Sequence, residues 1–181
     1  VYIDNKLPWG TVSKNYVLTK SGTYPFTIKG APVWKKEKNI TIVQTGVTAM
    51  SRGFVSGTRR SGDLYSSLKY TKEITGRADL ATTSNEVSFM SPCFYKRKSL
   101  RFCSPTNYFK ILVKAGFDII ELTGNHNNDK GTALNAKTIK KYIKAGMAYF
   151  GGGLNKQDAE KVLYKTVKGT TIAFFGANEL G

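Results

Sequence analysis

From residue 39 onward the chain alternates short apolar runs with polar or glycine-rich breaks, and the apolar spacing switches between strand-like and helical. Ile40-Thr41-Ile42-Val43 is a β-branched run that ends at Gly46, which predicts a central strand feeding a turn. Over 62–75, Leu64, Leu68 and Thr71 recur at helical spacing. Ala78-Asp79-Leu80-Ala81 then leads into a second strand and its following loop over 82–89. Ser104-Pro105 reads as an N-cap followed by proline at the first helical position, where its missing N–H costs nothing. The helix it opens places Tyr108, Phe109, Leu112 and Val113 on one face and stops at Gly116.

Phe117-Asp118-Ile119-Ile120-Glu121-Leu122 predicts a strand that runs directly into Thr123-Gly124-Asn125-His126. A helix over 132–145 turns Leu134, Ile139, Tyr142 and Ile143 inward and is terminated by Gly146. A short strand over 147–150 precedes Gly151-Gly152-Gly153, Asn155 caps a short helix containing Ala159 and Val162, and 170–175 form a last strand. Strands alternating with helices in this order predict an α/β fold with a largely parallel sheet flanked by helices. Residues 1–38 differ: Pro8, Gly10, Gly22, Pro25, Gly30 and Pro32 punctuate short polar and aromatic pieces, so this part reads as a lead-in with one or two short strands.

Composition adds a core and a charge. A chain of 181 residues with 40% hydrophobic content folds as about one domain. Its 28 Lys and Arg against 12 Asp and Glu give a formal charge of +16, which favours anionic partners: polyglutamate, teichoic acids, phospholipid surfaces or nucleic acid. Nucleic acid is disfavoured, because the short basic clusters at Lys35-Lys36, Lys96-Arg97-Lys98 and Lys140-Lys141 are not interleaved with a nucleic-acid motif. The chain starts at Val1 and has no apolar run near the roughly 18 residues of a membrane span, so an upstream signal peptide or anchor is expected to have been removed. Cys93 and Cys103 flank a basic stretch that reads as a surface loop; they either close a disulfide, which is the expectation here and requires an oxidising compartment, or remain two buried thiols. Two Cys and one distant His lack the paired spacing of a zinc site.

In parallel α/β sheets functional groups collect just beyond the carboxyl ends of strands. Three such loops stand out, at 45–52, 84–88 and 124–129. The last follows a glycine turn with Asn125, the chain's one His126, Asn127, Asn128 and Asp129, and amide oxygen, imidazole and carboxylate all suit divalent metals or proton transfer. The same residues also serve as ordinary turn and capping chemistry, with Asp129 placed to serve the helix starting near Thr132.

The string over 121–131 resembles the NNHxxDxG signature of CapA-type poly-γ-glutamate capsule synthesis proteins, the counterpart of the GNH motif of calcineurin-like metallophosphoesterases. The resemblance extends over 39–181: 40–52 is similar to the family's first strand and loop, 78–87 to its ADL…NLE segment, 151–159 to its GxGxNxxEA segment, and 170–176 to a later strand. It implies the amino-terminal part of a metallophosphatase-like αββα sandwich, the remainder coming from further residues or a second polypeptide docked at the carboxyl-terminal side. It also implies an extracytoplasmic, secreted or membrane-anchored protein of the cell envelope that meets other envelope proteins.

By the same resemblance His126 and Asp129 are the candidate catalytic groups, and Asn125 and Glu86 the candidate metal ligands. Thr48, Arg52, Asn85, Asn127 and Asn128 are candidate ligand-binding residues. The chain departs from the family pattern where Gly46-Val47 replaces Gly-Asp, and where Ser84-Asn85 shifts the asparagine next to Glu86. Valine coordinates nothing, so the expectation is no dinuclear centre and at most one weakly held magnesium or manganese ion near Asn125, His126 and Glu86, completed by water. Three functions follow: handling an anionic polymer such as poly-γ-glutamate, metal-dependent hydrolysis of a phosphoester or amide bond, or a catalytically inactive binding module.

Overall fold

The computed structural model describes residues 39–94 and 99–178. The chain divides into two compact units, Val1–Asn39 and Ile40–Gly181. The lead-in read over 1–38, with its short strands, lies outside the described residues.

The second unit is α/β. Strands β1 (Ile42–Val47), β2 (Leu80–Ser84), β5 (Ile119–Glu121) and β6 (Ala148–Phe150) form one sheet in the order β1-β2-β5-β6. Every pair in it is parallel. Between them come β3 (Phe89–Met90) and β4 (Ser104–Pro105), which pair with each other, and the helices α1 (Arg52–Ser61), α2 (Lys72–Arg77), α3 (Phe109–Ala115) and α4 (Thr132–Lys144). Helix α5 (Lys156–Ala159) and an antiparallel hairpin, β7 (Leu163–Val167) with β8 (Thr170–Phe174), follow.

The period-two alternation of the strands sorts their side chains between two cores. Ala81 and Ile120 face one core with Val55 of α1, Leu112 of α3, and Ile139 and Tyr142 of α4. Leu80, Ile119 and Phe150 face the other, closed by Phe174 and Val167 of the hairpin. Helices therefore cover one face of the sheet and a two-stranded layer covers the other. Ile119 and Ile120 are both fully buried, each side chain contributing about 1.5–3 kcal/mol.

Several expectations need correction. The first strand is an edge strand among the described residues, with Ile42 38% and Val47 57% exposed, because a β-branched run looks the same wherever long-range pairing places it. Arg52, read as the last residue of a loop, instead opens helix α1, which runs on through 53–61, a stretch given no element from sequence, buries Val55 and Thr58 one turn apart and closes at Gly62 in the left-handed conformation. The helix expected over 62–75 is a 3-10 turn (Ser66–Leu68) and then α2. Asp63 interrupts it, its Oδ1 accepting from the Tyr65 N–H at 2.8 Å.

Ser104-Pro105 do not cap a helix. They pair as β4, and α3 starts at Phe109 after a 3-10 turn (Thr106–Tyr108). Val113 and Ile143 face solvent, and Ile111, Leu112 and Ala115 supply the buried face of α3. Val162 lies beyond α5. The last strand does not join the parallel sheet. It pairs with β7, through a two-residue turn in which Lys168 and Gly169 both have positive φ, the geometry that matches hairpin twist.

Candidate functional site

The carboxyl ends of β1, β2 and β5 lie side by side and open into a cleft of about 510 Å3. Its walls include Thr45, Val47, Glu86, Glu121 and Asn125. The β1–β2 register is irregular between Gln44 and Val47, so the edge strand bends away just where the cleft opens. Threonine hydroxyls stitch this end together. Thr45 donates to Thr83 Oγ1 at 2.7 Å, and Thr83 Oγ1 in turn lies 3.2 Å from Thr48 Oγ1. Both the N–H and the hydroxyl of Thr48 donate to the Ser84 carbonyl, at 2.8 and 3.1 Å, so Thr48 ties the first loop to the second.

Close approach of the loops depends on Gly124. A Cβ there would fall within the Glu86 side chain and 3.1 Å from the Glu86 Cα. Thr123 is similarly packed by its methyl against Gly151 and Gly176, so the glycine run after β6 serves backbone approach. Two carboxylates result at the mouth. Glu121 accepts from the N–H and the hydroxyl of Thr123. Glu86, half-buried, has no hydrogen-bond or ion-pair partner among the described residues. Glu121 was not among the residues singled out from sequence. Its signal was a charged residue at the last position of a strand whose neighbours are apolar.

His126 and Asp129 belong to an adjoining cluster and do not line the cleft. Asp129 Oδ2 accepts from the Phe102 N–H at 2.6 Å and lies 2.9 Å from His126 Nδ1, and its carbonyl accepts from Arg101 Nε at 2.7 Å. The Phe102 ring rests 4.3 Å from the imidazole centroid, and the Arg52 guanidinium lies 4.9 Å from the centre of the Phe102 ring. Arg52 has φ +48, an uncommon conformation for a residue other than glycine. With Nδ1 held by a carboxylate, Nε2 is the imidazole nitrogen left for proton exchange. Asp129 does not cap α4, whose N-cap position is Gly131.

The remaining candidates are engaged in holding the loops. Asn85 is fully buried; its amide donates to the Val87 carbonyl at 2.8 Å and to the Tyr142 hydroxyl. Burial also pushes the Tyr142 phenol well above its ordinary range, against the opposing hydrogen bond from Asn85. Asn127 donates to the carbonyls of Leu122 and Gly124 at 2.8 and 2.9 Å, and its own carbonyl accepts from Ser88 at 2.9 Å. Asn128 accepts from Asn135 on α4 at 3.0 Å. Cys93 and Cys103 form a disulfide, as expected, which brackets the segment carrying Arg101 and Phe102.

A metal centre tests this donor set. Among the described residues no three His, Cys, Asp or Glu side chains gather as one cluster. The cleft offers Glu86, Glu121 and the Asn125 amide; Glu121 is already held by Thr123, Val47 has no donor, and His126 is turned to Asp129. This set does not fit a two-metal clamp.

The sequence model of the family described as "Bacterial capsule synthesis protein PGA_cap" matches residues 41–180. The capsule biosynthesis protein CapA of Bacillus anthracis is 30% identical over 79 residues, which are 44% of this chain and 19% of that protein. The matched stretch thus spans about a fifth of that relative's length. The chain belongs to the bacterial capsule synthesis protein family, CapA type.

Proposed function

We propose that this chain handles an anionic polymer of the poly-γ-glutamate class at the cell envelope, with the polymer's amide backbone in the cleft beyond β1, β2 and β5. The observation that carries this reading is the Glu86 carboxylate, half-buried in the cleft with no partner among the described residues. A carboxylate so placed exchanges water for a donor on a bound molecule, and the amide N–H of a polymer backbone is such a donor. Asn125, exposed and lining the same cleft, offers both a donor and an acceptor to the same backbone. Family membership and the charge of +16 support the polymer's anionic character.

His126, positioned by Asp129, is the group in this chain suited to exchanging a proton beside the cleft. A second reading, a catalytically inactive binding module, is favoured by Val47, which puts an exposed apolar side chain where the family pattern has a carboxylate. The two readings share the binding step.

That step is tested with purified protein, comparing γ-linked polyglutamate with a neutral polymer of similar length across a salt series. The expected result is tighter binding of the polyanion, weakening with salt, with slower amide hydrogen exchange at 84–86 and 123–125 when polymer is bound. Equal affinities for the two polymers would end the proposal. Binding that leaves exchange in both loops unchanged would remove the cleft from it.

A further inference from the structure

The cleft presents carboxylates, and a polycarboxylate cannot be held by them through its own charges. The cations must come from elsewhere on the surface. A shallow groove of about 570 Å3 between α2 and α3 supplies them, lined by Lys69, Lys72, Arg77 and Lys114 around Tyr65 and Leu68. Lys114 Nζ stands 3.9 Å from the centre of the Tyr65 ring, and Lys69 Nζ 5.1 Å from that of Tyr70. Arg77 is paired with Glu73 along the helix, while Lys69, Lys72 and Lys114 have no ion pair among the described residues. These three lysines are exposed, and the one carboxylate that lines the groove, Glu73, is the one paired with Arg77.

Leu68 lines this groove and also an apolar cavity of about 290 Å3 whose walls include Thr45 and Val47, two residues that line the cleft as well. Every repeat of a γ-linked polyglutamate carries a carboxylate, so a chain that places an amide in the cleft has further carboxylates for a cationic groove elsewhere on the surface.

We infer that Lys69, Lys72 and Lys114 form a second subsite, outside the cleft, that grips carboxylates of the polymer. The inference rests on the polymer reading above. Gly76 lines the groove, and a Cβ at that position meets no atom within 4 Å, so a longer side chain there extends into open space.

Binding of γ-linked polyglutamate to the full chain, by calorimetry at low salt, separates this inference from the reading it rests on. The double variant K72Q/K114Q is expected to weaken binding by about tenfold, as loss of two surface charge contacts would. K137Q/K140Q, which removes the same charge from exposed positions on α4, is expected to change it by less than about twofold. Gly76→Gln fills the groove without altering charge, and is expected to weaken binding as well. Equal losses in the two double variants would show a diffuse charge effect and overturn the subsite, as would undiminished binding by either K72Q/K114Q or Gly76→Gln. Failure of the unsubstituted chain to bind at all would remove the polymer reading and the subsite together.

Discussion

The two ends of the parallel sheet treat acidic side chains in opposite ways. At the amino-terminal end, Asp79 accepts from the Thr41 N–H and Asp118 from the Ala81 N–H, each at 2.8 Å, and Lys168 also reaches Asp79 at 2.8 Å. At the carboxyl-terminal end, Glu121 is satisfied by its own loop and Glu86 by no partner among the described residues. The difference follows from strand polarity. Parallel strands begin by presenting N–H groups and finish by presenting carbonyls, so an acid at the start finds donors ready-made and an acid at the finish does not. Glu86, half-buried at the finishing end, is the carboxylate that this polarity leaves without a hydrogen-bond partner among the described residues.

The comparison breaks most sharply at Gly124. Gly124→Ala forces a Cβ into the Glu86 side chain and toward its backbone, so loop and carboxylate must separate. The expected cost is about 1–3 kcal/mol in chemical denaturation, with loss of polymer binding. Gly46→Ala, in the same cleft but with nothing within 4 Å of the new atom, is expected to stay within about 0.5 kcal/mol. Equal effects would mean that the loops are not closely apposed.

A smaller effect sharpens the division of labour. Asp118→Ala orphans the Ala81 N–H and is expected to cost about 1 kcal/mol. Glu86→Gln removes a charge that has no partner among the described residues, and is expected to leave stability within about 0.5 kcal/mol while altering polymer affinity. Denaturant midpoints for the two variants decide this, and a Glu86→Gln loss as large as that of Asp118→Ala would place Glu86 with the structural carboxylates.

Much of this arrangement was legible in the residues. Gly116 and Gly146 end their helices with positive φ, Asn155 Oδ1 accepts from the Asp158 N–H at 2.8 Å, and three of the sheet's strands fall on the apolar runs that predict them. These are local signals, carried by a few residues in sequence. Helix α1 was not legible because its two glycines, two serines and one threonine weaken its local preference; burial of Val55 and Thr58 overrides that. The edge position of β1 and the hairpin partner of β8 depend on pairing between distant segments or on a Lys-Gly turn that sequence reading passed over. At the site, the motif placed the loops but could not divide their labour. Asn125 and His126 are adjacent in sequence, yet one reaches the cleft while Asp129 and Phe102 hold the other beside it.

The smallest expected effect lies at the amino-terminal end and depends on pH. The Lys168 ammonium, and then the Thr41 N–H, hold the Asp79 carboxyl below its ordinary value, against a weak opposing effect of burial. A carboxyl depressed in the folded state contributes stability above its unfolded value, about 3.9, and loses that contribution as pH falls through the folded value beneath it. Asp79→Asn should therefore lower the denaturation midpoint slightly at neutral pH, and the gap should close as both proteins are taken below about pH 3.9. Because the pair is exposed, added salt should shrink the gap as well. A gap that persisted at low pH and high salt would show that Asp79 holds the hairpin turn and strand β1 through shape and neutral hydrogen bonding, and strand polarity would then not account for the contrast with Glu86.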